Sequence, residues 1–296
     1  MTAHNRRRTA EGPEIPWRGP AREGKAAQNL MGLNSLPAYD FHSPRVFVAG
    51  ALAAGTETAL GSASGHYLRN VLRLREGAEV LAFNGKDGEW LAVLSGTSKR
   101  STLTMQKQTR PQTEARDLHY LFAPLKHERL DYMVQKAIEM GASRLQPVLT
   151  RHTQVKRVNV ERMRANAIEA AEQCGVLNVA DISEPMTLAR AIAARKPDRL
   201  LVFCDEEAEV NNPIEALADA RPSPTAMLPL TMSSPNELQS IAVLVGPEGG
   251  FAEDERAALM KLPNTVRLSL GPRILRADTA AVAALALVQA MLGDWR

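Results

Sequence analysis

The stretch IAVLVGPEGGFAEDERAAL, residues 241–259, runs from five apolar, largely β-branched residues into a Gly-Pro-Glu-Gly-Gly turn and then into helix-forming sequence. Strand, turn and helix in that order predict one unit of an α/β sheet. Gly246, Gly249 and Gly250 permit positive φ and let main-chain N–H groups come close to a ligand. The carboxyl end of a strand in an open α/β sheet is where a nucleotide-like ligand sits. The turn lacks the G-x-G-x-x-G spacing of a dinucleotide fold, and no phosphate-cradling G-x-x-x-x-G-K-[ST] occurs. GSASG (61–65) misses the G-x-S-x-G register by one residue, so it carries no hydrolase signal.

A second segment of the same design lies downstream. In VRLSLGPRILRADTAAVAALALVQAMLG (266–293) a strand ends at Gly271, a short loop follows, and a helix is expected to start near Asp278 or Thr279, both natural caps. That helix is apolar nearly all round and calls for burial on several sides, including a subunit interface. Two glycine-bearing strand ends, each followed by a helix, can share one pocket for a small adenine- or phosphate-bearing ligand.

Upstream the same alternation continues. HYLFAP (119–124), RLQPVLT (144–150) and DRLLVFC (198–204) read as strands, while RLDYMVQKAIEMG (129–141) and VERMRANAIEAAEQC (160–174) read as helices. Residues 211–238 contain five prolines and predict an irregular excursion around one short helix, EALADA (215–220). The fold class from residue 113 onward is therefore α/β with a mainly parallel sheet.

Residues 43–112 have another texture. Short runs at 46–49, 78–85 and 88–94 predict strands, with NGKDG (84–88) as a hairpin connection. SGHYLRNVLR (64–73) predicts a helix capped by Ser64, with His66, Arg69 and Arg73 on one face and Leu68, Val71 and Leu72 turned inward. Lys107 to Arg116 is expected to be a polar connector. Nine Lys/Arg stand against five Asp/Glu in this part, but 21 against 24 after it. A basic excess confined to a small module suits contact with a polyanion. Residues 1–42, rich in Pro, Gly, Arg and Asn, predict a disordered tail that either helps bind RNA or is inert.

Composition removes several classes. No apolar stretch approaches the roughly 18 residues that span a bilayer, and the arginine-bearing start lacks a secretory core. Cys174 and Cys204 have no metal-site spacing and are expected to be reduced packing residues of a cytoplasmic protein. Aromatic residues are 4% of the chain, too few for extensive base stacking.

GPEGGF (246–251) and LGPRILRADTA (270–280) resemble the paired cofactor motifs of the ribosomal RNA small subunit methyltransferase E family, in the SPOUT superfamily. HYLRNVLRLREG (66–77) resembles its N-terminal PUA-like signature, and QKAIEMGASRLQPVLTRHTQV (135–155) and EAAEQCG (169–175) resemble its central ones. The resemblance implies a PUA-like RNA-binding domain at 43–112 and a SPOUT domain at 113–296, ending in a trefoil knot. It further implies a homodimer and S-adenosylmethionine-dependent methylation of uridine N3 in 16S rRNA, on the rRNA or the 30S subunit, without a metal. The chain departs from the family at Ala252, where Ser or Thr is common, and at Val176 and Leu177, where an arginine often stands.

By the same resemblance, main-chain groups of Leu244, Gly246, Gly249, Leu270, Ile274 and Leu275 are expected to hold the cofactor, with Pro247, Gly250 and Gly271 in the same loops and Ala280 lining the pocket. Arg276 is expected to stabilise the charge that develops on uracil, or else to pair with Asp278 or Glu248. Glu248 is the candidate proton acceptor. His66, Arg69, Arg73, Lys126 and Arg151 are expected to meet RNA, and His152 to face phosphate. Two other readings stay open: methylation of another RNA, and a catalytically silent RNA-binding assembly factor.

Overall fold

In a computed structural model, residues 40, 42–97, 100–209, 212–220 and 240–295 are described. The tail expected over 1–42, apart from Asp40 and His42, lies outside them, as does most of the excursion expected at 211–238.

Two sheets organise these residues. The first contains β1 (Arg45–Phe47), β2 (Glu57–Ala59), β3 (Glu79–Phe83), β4 (Glu89–Thr97) and β5 (Arg100–Arg110), in the order β1-β3-β4-β5-β2. Only the β1–β3 pair is parallel. The Asn84 side chain accepts from the N–H groups of Lys86 and Asp87 at 2.9 and 2.8 Å, which closes the expected hairpin turn. Val80, Ala82, Ala92, Leu94, Leu103 and Met105 fill the core of this sheet.

The expected connector at 107–116 is shorter than its polar composition suggests. Lys107–Arg110 complete β5 and pair with β4 alone; Lys107 and Gln108 are exposed, while Thr109 and Arg110 hydrogen-bond to Glu89. The helix expected at 64–73 also differs. A short α1 (Ser62–His66) starts behind Gly61, not Ser64, and passes into a π-helical turn over Tyr67–Val71. The wider turn changes which residues share a face. Leu68 is fully buried, but Val71 and Leu72 are exposed instead of turned inward.

The second sheet is parallel. It comprises β6 (Leu118–Phe122), β7 (Arg144–Leu149), β8 (Asp181–Ile182), β9 (Met186–Thr187), β10 (Leu200–Cys204), β11 (Ile241–Val245) and β12 (Thr265–Leu268). Its order is β12-β10-β11-β6-β7-β8, with β9 also on β7. Helices α2 (His127–Glu139), α3 (Val160–Cys174), α4 (Leu188–Ala194), α5 (Pro213–Asp219), α6 (Glu253–Met260) and α7 (Ala277–Leu292) cover it.

Alternation along β11 divides the core. Ile241, Val243 and Val245 join the cluster built with α2, α3, α5 and α7, whereas Ala242 and Leu244 join the one built with α4 and α6. Both faces are covered, so the strand is an unbroken apolar run. Asn159 caps α3 by accepting from the Arg162 N–H, and Gly175 ends it in the left-handed region. No helix among the described residues is long and apolar enough to cross a membrane.

Candidate functional site

Adjacent parallel strands β12, β10 and β11 bring three loops to one edge of the second sheet. After β11 comes the turn 246–250, closed by the Gly250 N–H on the Pro247 carbonyl at 3.0 Å. After β10 come Asp205 and Glu206, and after β12 the loop 269–276 that leads into α7. Together they enclose a cavity of about 380 Å³, within the usual range for a small-molecule site.

Sequence-predicted Gly246, Pro247, Gly250, Leu270, Gly271, Ile274, Leu275 and Ala280 line this cavity, as do Glu248 and Arg276. Leu244 does not: the period of the strand turns it to the opposite core, where it is 1% exposed. Gly249 is also outside the lining. Its carbonyl accepts from His152 Nδ1 at 2.8 Å, so His152 braces the outside of the turn. Gly250 has a φ of +65°, and a Cβ there would lie 2.3 Å from Glu206 Oε1. The positive φ strains any side chain there, and Glu206 would have to move to admit one.

Sequence reasoning missed Arg129. On α2, it donates from Nη1 to Glu248 Oε1 at 2.9 Å and from Nε to Asp278 Oδ2 at 3.0 Å. It thereby takes both carboxylates that Arg276 was expected to choose between. α7 starts at Ala277, slightly earlier than expected, with Arg276 in the capping position and no side-chain cap. Among the described residues no side-chain hydrogen bond or ion pair engages the Arg276 guanidinium. Nearby, Asp205 is buried and accepts from Arg256 at 3.0 Å and Arg267 at 2.7 Å. Burial pushes the Cys204 thiol up to about 12, so it lines the cavity as a neutral group. Cys174, in contrast to the expected packing role, is exposed.

With this geometry in hand, the chain can be set beside known proteins. Residues 112–289 match the family of RNA methyltransferase domains, and residues 60–103 that of RNA methyltransferase PUA domains. The ribosomal RNA small subunit methyltransferase E of Rickettsia conorii is 31% identical over 252 residues, covering 84% of this chain and 96% of that protein. The chain belongs to the ribosomal RNA small subunit methyltransferase E family. The Synechocystis enzyme of the same name is 27% identical over 87% of this chain and 83% of its own. A crystal structure of the Neisseria gonorrhoeae family member, bound to S-adenosyl methionine, has the same fold. Its TM-score is 0.71 at 23% identity, over 86% of this chain and all of that one.

In this member of the methyltransferase E family, the residues expected to meet RNA lie outside the strands of both sheets. His66 Nδ1 is 2.8 Å from the Asn70 amide, and Arg69 donates to the Gly96 carbonyl at 2.6 Å. Arg73 is exposed with a φ of +56°, so the π-helical turn does not continue the three-and-four spacing that put the trio on one helix face. Lys126 is exposed at the start of α2. Arg151 pairs with Asp254, and its N–H donates to Glu255 Oε1 at 2.9 Å, tying it to the first turn of α6. The other oxygen of Glu255 accepts from the Ala252 N–H at 3.1 Å. That capping half works without the serine or threonine common in relatives. Leu177, standing near the arginine of relatives, is in the core. Among the described residues no group of three or more His, Cys, Asp or Glu is placed to hold a metal.

Proposed function

We propose that the protein transfers the methyl group of S-adenosylmethionine to N3 of a uridine in 16S rRNA. The observation that carries this reading is the cavity walled by the turn 246–250 and the loop 269–276, with Arg276 at its edge and unpaired among the described residues. Gly250 fits the cofactor's need for a backbone that can approach it without side-chain obstruction. Gly246, Pro247, Gly250, Leu270, Gly271, Ile274, Leu275 and Ala280 would hold it, with Leu244 and Gly249 supporting from behind.

When bound, S-adenosylmethionine supplies a methyl group on a sulfonium, a donor that is already activated. The protein's task is to hold N3 in line with that group. As the N3 proton leaves, negative charge spreads to the uracil carbonyl oxygens, and Arg276 stabilises it. Glu248 is paired with Arg129 at 2.9 Å and braces the turn. The proton then passes to solvent once Arg276 has made N3 more acidic.

Residues 43–112 serve as the RNA-binding domain, through His66, Arg69 and Arg73, and residues 113–296 as the catalytic one, with Lys126 and Arg151 on the RNA side. The chain acts in the cytoplasm on 16S rRNA or the 30S subunit. It works as a homodimer, for which the 91% exposure of Ile274 at the cavity is the supporting observation. The C-terminal segment forms the trefoil knot implied by the family.

The test is to incubate the protein and labelled S-adenosylmethionine with 30S subunits from cells lacking this gene, then digest the 16S rRNA and analyse its nucleosides by mass spectrometry. A stoichiometric gain of 3-methyluridine is expected. Cofactor binding without transfer to 30S would move the substrate to another RNA, and absence of cofactor binding would favour an assembly factor.

A further inference from the structure

After β10 the chain reads Asp205-Glu206-Glu207, and the three carboxylates meet different fates. Asp205 is buried between Arg256 and Arg267, and Glu207 pairs with Arg256 at 3.0 Å. Glu206 is exposed at the rim of the cavity it helps to line, and among the described residues no hydrogen bond or ion pair reaches its carboxylate. It lies against the turn 246–250, close enough that a Cβ on Gly250 would meet Oε1 at 2.3 Å. The loop 269–276, in contrast, brings two cations, Arg273 and Arg276, to the same cavity. With Arg276 given to the uracil, one carboxylate on the β10 side and the Arg273 guanidinium on the other loop match a donor that carries both charges.

We propose that Glu206 binds the α-ammonium of the donor's methionine moiety, an inference that rests on the S-adenosylmethionine reading above. The same molecule offers two other partners. A carboxylate on the sulfonium would stabilise a positive charge that disappears during transfer, and so would oppose the reaction. A carboxylate also accepts from ribose hydroxyls, and 5′-methylthioadenosine, which keeps the ribose, separates that outcome from this one. The ammonium keeps its charge throughout, so holding it orients the donor without raising the barrier.

The experiment is calorimetric titration of the full chain and of Glu206→Gln with three probes. S-adenosylmethionine and S-adenosylhomocysteine both carry the ammonium, whereas 5′-methylthioadenosine lacks the amino-acid part but keeps adenine and ribose. Glu206→Gln keeps the shape and removes the charge, and thermal melting without ligand checks that the variant is folded. The expected result is about five- to thirty-fold weaker binding of the first two and unchanged binding of the third. Loss confined to S-adenosylmethionine would place Glu206 on the sulfonium and overturn the proposal. Equal loss of all three would place it on the nucleoside and do the same, as would no change in any. If the unaltered protein bound none of them, the proposed function itself would fall and this assignment with it.

Discussion

Arg129 and Asp278 are 149 residues apart in the chain, yet the guanidinium of one donates to the carboxylate of the other at 3.0 Å. The contact joins α2 to the first turn of α7, and through Glu248 it reaches the turn 246–250. A single arginine thus ties the turn 246–250 to the start of α7. Replacing Arg129 with Ala is expected to weaken S-adenosylmethionine binding by roughly ten-fold, while unfolding free energy changes by less than about 1 kcal/mol because the pair is partly exposed. The hydrogen bond from Arg129 also holds the Asp278 carboxyl below its ordinary range. Its stabilising contribution is therefore present above the ordinary carboxylate pKa and lost as pH falls through the lowered one. Carbon NMR of Asp278 should show its titration moving upward in Arg129→Ala, and an unmoved titration would remove Arg129 as the cause.

Gly250 combines a φ of +65° with the closeness of Glu206. A methyl group there meets both backbone strain, worth about 1–2 kcal/mol, and a carboxylate that must move. Gly250→Ala is expected to lower the melting temperature and to weaken cofactor binding. Gly61, where a Cβ would meet nothing within 4 Å, is the control position. Calorimetry on both variants checks this, and equal effects would show that the turn tolerates a side chain.

What could be read in the sequence followed its local signals. Helix α3 runs over the expected 160–174 because Asn159 and Gly175 supply a cap at each end. The cavity loops were legible because glycines follow two apolar runs. What was missed depends on partners distant in sequence. The Leu244 side chain packs into the core opposite the cavity and the Gly249 carbonyl is taken by His152, arrangements that no local signal announces. Nothing local to Arg129 or Glu206 marks them, since their roles exist only once β10, β11 and α2 are side by side. The π-helical turn escaped because Val71 and Leu72 follow the apolar spacing of an ordinary helix while facing solvent.

Glu89 lies buried between two arginines of the first sheet, Arg45 and Arg110, each at 2.7 Å. Burial raises its pKa, but hydrogen bonds from Arg110, Arg45 and Thr109 outweigh it and hold the carboxyl below the usual value. The same arginines donate to the carbonyls of Glu172 and Gly175 near the end of α3, so the cluster binds the first sheet to that helix. Glu89→Ala removes the carboxylate shared by the buried Arg45 and the half-buried Arg110, which keep their carbonyl acceptors, and should cost about 3 kcal/mol. Urea unfolding at pH 7 measures this, and a cost under 1 kcal/mol would show that the arginines find other acceptors.

His119, on β6 beside Asp117 and Arg199, has its pKa lowered to about 4 by burial and then by the Arg199 charge, against the opposing pull of Asp117. A base whose folded pKa is depressed loses stability as pH falls from its unfolded value of about 6.5 towards the folded one, because the unfolded chain takes up the proton first. The difference in unfolding free energy between the protein and His119→Gln should therefore change across that window and level off outside it. A pH-independent difference would mean that His119 titrates normally.

Arg276 gives the sharpest division between binding and chemistry. Its guanidinium lines the cavity and, among the described residues, has no side-chain partner, so its removal leaves no buried charge behind. If it stabilises charge only as N3 loses its proton, Arg276→Ala should leave S-adenosylmethionine affinity within about two-fold while kcat falls by roughly 10²–10³, the cost of losing one such donor. Arg276→Lys, which keeps the charge but not the fork, should recover part of that loss. Raising the pH should also narrow the gap, because solvent then removes the N3 proton without help from the cation. Single-turnover methylation measured against pH for all three proteins is the check. A loss of affinity with kcat unchanged would make Arg276 a binding residue instead.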